Sequence, residues 1–174
     1  MSESALRIHI IPDPWGYHVF TLVIPPRGQA RARSTVLMDK DTNQPRRDPK
    51  TGRVIIIHHK DDKHELDEQK LEALMFQHRP GVPFKGPILL GVRAYFAVPQ
   101  SKPKKFQAAA LAGDIQPEIK PDLDNIVKHV KDVGTGIFWG DDKQIVGYIG
   151  ATGKYYGDPA RYEIVIGYRK DMQD

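Results

Sequence analysis

The chain contains no cysteine, which excludes disulfides and thiolate zinc sites and suits a reducing cytoplasm. No apolar run is long enough to span a membrane, and the first residues lack the basic-then-apolar pattern of a signal peptide. Internal repeats and low-complexity segments are absent too. Neither sign of charge dominates: 26 Lys and Arg stand against 22 Asp and Glu, for a net charge of +4. That balance, with a pI of about 9.2, is compatible with nucleic acid without demanding it. With 40% hydrophobic and 28% charged residues over 174 positions, the chain reads as one ordinary globular domain with a sizeable core.

The informative stretch runs from Lys120 to Tyr148, KPDLDNIVKHVKDVGTGIFWGDDKQIVGY. It carries two tight carboxylate pairs, Asp122 with Asp124 and Asp141 with Asp142. Between them Leu123, Ile126, Val127, Val130 and Val133 recur at helical spacing, which predicts a helix of about three turns with one apolar face. Pro121 suits its first turn, the two aspartates suit its positive end, and Gly134 and Gly136 stop it. Asp124 and Lys128 are four apart and therefore neighbours on the polar side, where Asn125 and Asp132 also lie.

After the aromatic step Phe138-Trp139, Asp141-Asp142 opens a strand-like run from Gln144 to Ile149. A hairpin-like return from helix to strand would bring Asp142 or Asp141 close to Asp122 and Asp124. Converging carboxylates repel unless they are protonated or hold a cation. Hard oxygen donors point to Mg²⁺ or Mn²⁺, which can activate water and stabilise charge on a phosphodiester. Lys128 is placed to neutralise charge in the transition state. A lone DxD, or a lone DD, is a weak signal, because aspartate is common at helix starts and turns. The joint spacing, KPDxDN followed by Lys at +4 and then GxFWxDDxQI, is far more specific.

That joint pattern resembles the RusA-type Holliday-junction resolvases of bacteria and phages. The resemblance is strong from Lys120 to Tyr148 and extends more weakly from the strand near Val19 to the C-terminus. It implies Asp122, Asp124 and Asp142 as metal ligands and Lys128 as a further catalytic residue. It also implies a homodimer with one Mg²⁺-dependent site per subunit, nicking two strands of branched DNA symmetrically at a four-way junction. Asn125 is expected to hydrogen-bond a ligand carboxylate, and Asp132 to orient Lys128 or to solvate the helix.

Tyr17 to Ile24 and Gly86 to Val98 read as strands, the second one central. Lys143 to Tyr155 and Arg161 to Tyr168 read as two more, the last half-buried, joined by a turn at Gly157-Asp158-Pro159. Asp61 to His78 reads as a helix capped by Asp61 or Asp62, with Leu71, Leu74, Met75 and His78 on its apolar side. Ser34 to Met38 and Val54 to His58 are the expected arms of a hairpin tipped by DPKTGR, and FQAAALAG is a short helix within the Pro99–Glu118 linker. Gly113 and Asp114 read as ordinary loop residues, and His58-His59 as a strand end rather than metal ligands. Residues 1–16 are expected to be a tail or edge element, with a short strand over Leu6, Ile8 and Ile10, and residues 17–170 the endonuclease-like domain.

Three basic groups are candidate phosphate contacts: Arg27, Arg31 and Arg33 after the first strand, Arg46 and Arg47 in the hairpin, and Lys102, Lys104 and Lys105 with Lys120 before the helix. The bland alternatives are a solvated charge run for the first, a family-peripheral insertion for the second and a mobile, solvated loop for the third. The expected fold is α+β, a mixed and mostly antiparallel sheet with two main helices packed on it. Two other functions stay open: a DxD phosphatase or phosphotransferase, and a catalytically idle junction binder. The polar loop before Asp122 and the Asn after Asp124 count against the first, and the retained Asp and Lys positions count against the second.

Overall fold

The computed structural model describes residues 13–29, 33–59 and 62–173. The element order is β1 (Trp15–Leu22), β2 (Arg33–Val36), β3 (Ile56–His59), α1 (Asp62–Gln77), β4 (Ile88–Phe96), α2 (Lys104–Ala112), α3 (Leu123–Gly134), β5 (Ile145–Tyr148), β6 (Gly153–Tyr156) and β7 (Arg161–Arg169). The expected strand over Leu6 to Ile10 and the cap at Asp61 lie outside the described residues. Asp62 is the first residue of α1 rather than its cap.

The fold class is α+β, as expected. The chain divides into two compact units, residues 1–29 with 70–174, and residues 30–69. The larger unit holds a five-stranded sheet in the order β1-β7-β4-β5, with β6 also paired to β4. β7 runs antiparallel to both β1 and β4, while β5 and β6 run parallel to β4. The apolar β4 is thus central because it pairs with β7, β5 and β6.

Two strands differ from the sequence expectation. The run from Lys143 to Tyr155 is not one strand but two. β5 pairs with Ile88–Leu90 and β6 with Arg93–Phe96. Gly150, at φ 65°, supplies the left-handed residue between them, and the Thr152 hydroxyl accepts the Val92 amide (3.2 Å) that no strand neighbour takes. β7 is buried on both faces from Tyr162 to Gly167 rather than on one: Tyr162, Ile164 and Ile166 join the core cluster, and Ile149 and Leu89 crowd Gly167 in the alternate set. On its far face Glu163 is held by Arg161 at 2.9 Å and Arg93 at 3.8 Å, the pairing a buried carboxylate requires.

One apolar cluster forms the core. It combines Leu90, Val92 and Ala94 of β4, Tyr162, Ile164 and Ile166 of β7, Phe20 and Leu22 of β1, and Leu71 and Met75 of α1 with the apolar face of α3. Phe138 and Trp139 are fully buried in it. Trp139 packs against the end of α3, where a Cβ on Gly134 would stand 2.5 Å from its Cζ2. Gly113, at φ 88°, closes α2 as a left-handed cap, a specific role the linker reading missed.

The smaller unit contains the antiparallel β2–β3 pair, so the expected hairpin is present. Beyond the pair the chain makes two turns: the Asp39 carboxylate accepts the amides of Asp41 and Thr42, each at 3.1 Å, and the Asp48 carboxylate those of Lys50 and Thr51, each at 2.8 Å. The bonds from Thr51 and Lys50 hold the Asp48 carboxyl below its ordinary pKa.

Candidate active site

Helix α3 carries three stripes. Ile126, Val130 and Val133, with Val127, face the core. Asp124, Lys128 and Lys131 stand at i, i+4 and i+7, which places them on one side. Asn125, His129 and Asp132 repeat that spacing on a second side.

The second stripe grips the segment after β1. Asn125 Nδ2 donates to the Gln29 carbonyl (3.3 Å), and the Gln29 amide donates to the Asn125 carbonyl (3.2 Å). Gln29 Nε2 donates to Asp132, and His129 Nδ1 lies 3.3 Å from the Arg27 carbonyl. The Tyr162 hydroxyl accepts from the Arg27 amide (2.7 Å) and donates to its carbonyl (3.0 Å). Gly28 permits this approach, since a Cβ there would meet Asn125 Nδ2 at 2.6 Å. Asn125 and Asp132 therefore bond this loop instead of a ligand carboxylate or Lys128.

Asp122 is the extended N-cap residue of α3 and makes no side-chain capping bond. Asp142 is the first residue of a short 3₁₀ turn, Asp142–Gln144. Asp141 caps that turn, its carboxylate accepting the Lys143 amide at 2.9 Å, and this bond foremost lowers the Asp141 pKa. Gln144 anchors the turn to the main unit. Its Oε1 accepts from the Gly140 and Asp141 amides (2.8 and 3.1 Å), and its Nε2 donates to the Phe84 and Gly86 carbonyls (3.0 and 2.9 Å).

The helix stripe and the turn meet in an open cleft of about 530 Å³ lined by Leu123, Asp124, Val127, Lys128, Lys131, Asp142, Tyr148 and Thr152. Asp124, Lys128 and Asp142 are thus brought together. Asp122 is not among the lining residues, and among the described residues no three His, Cys, Asp or Glu side chains are gathered into a metal-holding group. Lys131 Nζ stands 3.7 Å from Asp142 Oδ2 as its counter-cation. Asp124 and Asp142 are the cleft carboxylates that could hold a hard divalent ion, which takes oxygen donors of this kind.

A family model for Endodeoxyribonuclease RusA matches residues 25–167. The chain belongs to the RusA endodeoxyribonuclease family. It is also similar to an uncharacterized protein of Bacillus subtilis (strain 168), YqaN, with 35% identity over 101 residues, covering 57% of this chain and 70% of that protein. Membership in the RusA family makes the chain a nuclease that acts on DNA.

In this RusA-family chain the expected basic residues are dispersed. Lys104 and Lys105 open α2, and Lys102 lies over the Phe106 ring at 5.2 Å. Neither these lysines nor Lys120 nor Arg27 lines the cleft. Arg46 and Arg47 stand in the smaller unit, where Arg47 donates to the Gly52 carbonyl at 3.0 Å. Arg31 falls outside the described residues, and Arg33 is the first residue of β2. Sequence reasoning passed over Lys131, Gln144 and His129. Lys131 had a usable signal, because it continues the Asp124–Lys128 stripe by one more turn.

Proposed function

We propose that the cleft between α3 and the Asp142 turn is the active site of a divalent-metal-dependent endonuclease that resolves four-way DNA junctions. The observation that carries this reading is the shared cleft of Asp124, Lys128 and Asp142 in a RusA-family chain. Asp124 and Asp142 would hold Mg²⁺ or Mn²⁺, with Asp122 as the third candidate carboxylate. A divalent cation supplies charge stabilisation at the phosphodiester and a more acidic water. Water adds to phosphorus and one P–O bond breaks, leaving a nick with one phosphate and one hydroxyl end. Lys128 would place its ammonium against the charge that builds on the phosphoryl oxygens. Asp141 and Gln144 would act by positioning Asp142.

The basic groups, Arg27, Arg31, Arg33, Arg46, Arg47, Lys102, Lys104, Lys105 and Lys120, would contact backbone phosphates and set salt-dependent affinity rather than sequence choice. A two-fold dimer would present two such sites to the two-fold symmetry of a junction. The test is cleavage of a labelled four-way junction and a linear duplex, with Mg²⁺ or EDTA, by wild type and Asp124→Asn. Paired symmetric nicks that need Mg²⁺ and vanish in a variant still able to bind the junction support the reading. Binding without cleavage by wild type would identify an idle junction binder instead.

A further inference from the structure

We propose that Lys131 is a positioning residue that holds the Asp142 carboxylate until a divalent cation and a DNA phosphate together displace it. Metal loading and DNA binding would then be coupled through one side chain. This rests on the nuclease reading of the cleft.

The Lys131–Asp142 pair bridges helix α3 and the 3₁₀ turn, at 3.7 Å. It is made by Lys131 rather than by Lys128, although both lysines line the same cleft. The two partners are unequally covered: the Lys131 side chain is 23% exposed and that of Asp142 is 55% exposed. The lysine is therefore the more constrained partner, packed along its stem, and the carboxylate is the one that solvent and solutes reach. Ion pairs with this much exposure are weak, which makes the pair exchangeable rather than a permanent strut.

Like charges repel, so a divalent cation and the Lys131 ammonium compete for Asp142. Displacing the ammonium leaves it in the cleft without an anion. A phosphodiester entering the cleft supplies that anion through a charge-assisted hydrogen bond. Each ligand thus removes part of what the other must displace. By linkage the effect is reciprocal: DNA tightens metal binding by the factor by which metal tightens DNA binding.

The test measures Mn²⁺ binding by calorimetry, without DNA and with a four-way junction made uncleavable by phosphorothioate linkages. The proteins are wild type, Lys131→Met, Lys131→Arg and Asp142→Asn, each with a circular dichroism spectrum matching wild type. Without DNA, Lys131→Met is expected to bind Mn²⁺ about two- to fivefold more tightly than wild type, and Lys131→Arg to match wild type. The tightening of Mn²⁺ by the junction, present in wild type, should shrink in Lys131→Met. Unchanged or weaker Mn²⁺ binding by Lys131→Met, or a junction effect as large as wild type's, overturns the proposal. Wild type that binds Mn²⁺ no better than Asp142→Asn overturns both this proposal and the metal-dependent reading of the cleft. Wild type that binds Mn²⁺ but no junction sinks the resolvase reading and the DNA coupling together, while the DNA-free arm still decides whether Lys131 competes for Asp142.

Discussion

Asp141 and Gln144 hold each other across the turn that presents Asp142. The Gln144 amide donates to the Asp141 carbonyl at 3.0 Å, and the Asp141 amide donates to Gln144 Oε1 at 3.1 Å. The same Gln144 side chain reaches the Phe84 and Gly86 carbonyls, so one residue ties the Asp142 turn to the segment leading into the central strand. Gln144→Ala should cost on the order of 1–3 kcal/mol, because it leaves partly buried partners unsatisfied. It should also lower junction cleavage about tenfold by misplacing Asp142. Urea unfolding and single-turnover cleavage check the two effects separately, and a variant with wild-type cleavage would remove Gln144 from the positioning scheme.

Gly134 is set by packing rather than by backbone conformation. A Cβ there would stand 2.5 Å from Trp139 Cζ2 and 2.7 Å from its Cη2, and Trp139 is fully buried. Gly134→Ala, ordinarily stabilising within a helix, should here destabilise by about 1–3 kcal/mol through overpacking. Thermal unfolding decides it: a raised midpoint would show that the Trp139 pocket yields.

Burial pushes the Tyr162 phenol up to about 12 from its usual 10.0, while its hydroxyl clasps the Arg27 backbone. A raised folded pKa means that the stabilisation is fully present below pH 10 and is lost as pH rises from 10 through about 12. Tyr162→Phe should flatten the alkaline stability curve over that window, by about 2–3 kcal/mol across it. An alkaline limb of unchanged steepness in the variant would assign it to other groups.

If Arg46 and Arg47 contact backbone phosphates, Arg46→Ala with Arg47→Ala should weaken junction binding and reduce the slope of log affinity against log salt by about 2. Binding titrations at several salt concentrations read this directly, and an unaltered slope would make the hairpin a solvated charge run.

Much of the framework was legible because its signals are local. The spacing of Ile126, Val127, Val130 and Val133 announces α3, and the continuous apolar run of β4 announces a buried central strand. Asp48 with Gly52 marks one of the two turns beyond the β2–β3 pair through turn chemistry alone. The joint DxD and DD pattern was enough to suggest the family before any fold was in view.

Local pattern was enough for most of the elements, for the α+β class and for Asp124, Lys128 and Asp142 of the cleft, since each depends on periodicity or spacing within a few turns of chain. Packing settled that β5 and β6 both run parallel to β4, that β7 is covered on both faces, and that Asn125 and Asp132 grip Gln29. It alone decided that Lys131, not Lys128, faces Asp142. These contacts join residues that are distant in the chain or reach across from one element to another. Their partners are chosen by how the sheet and helix pack, and no local pattern of side chains encodes that choice.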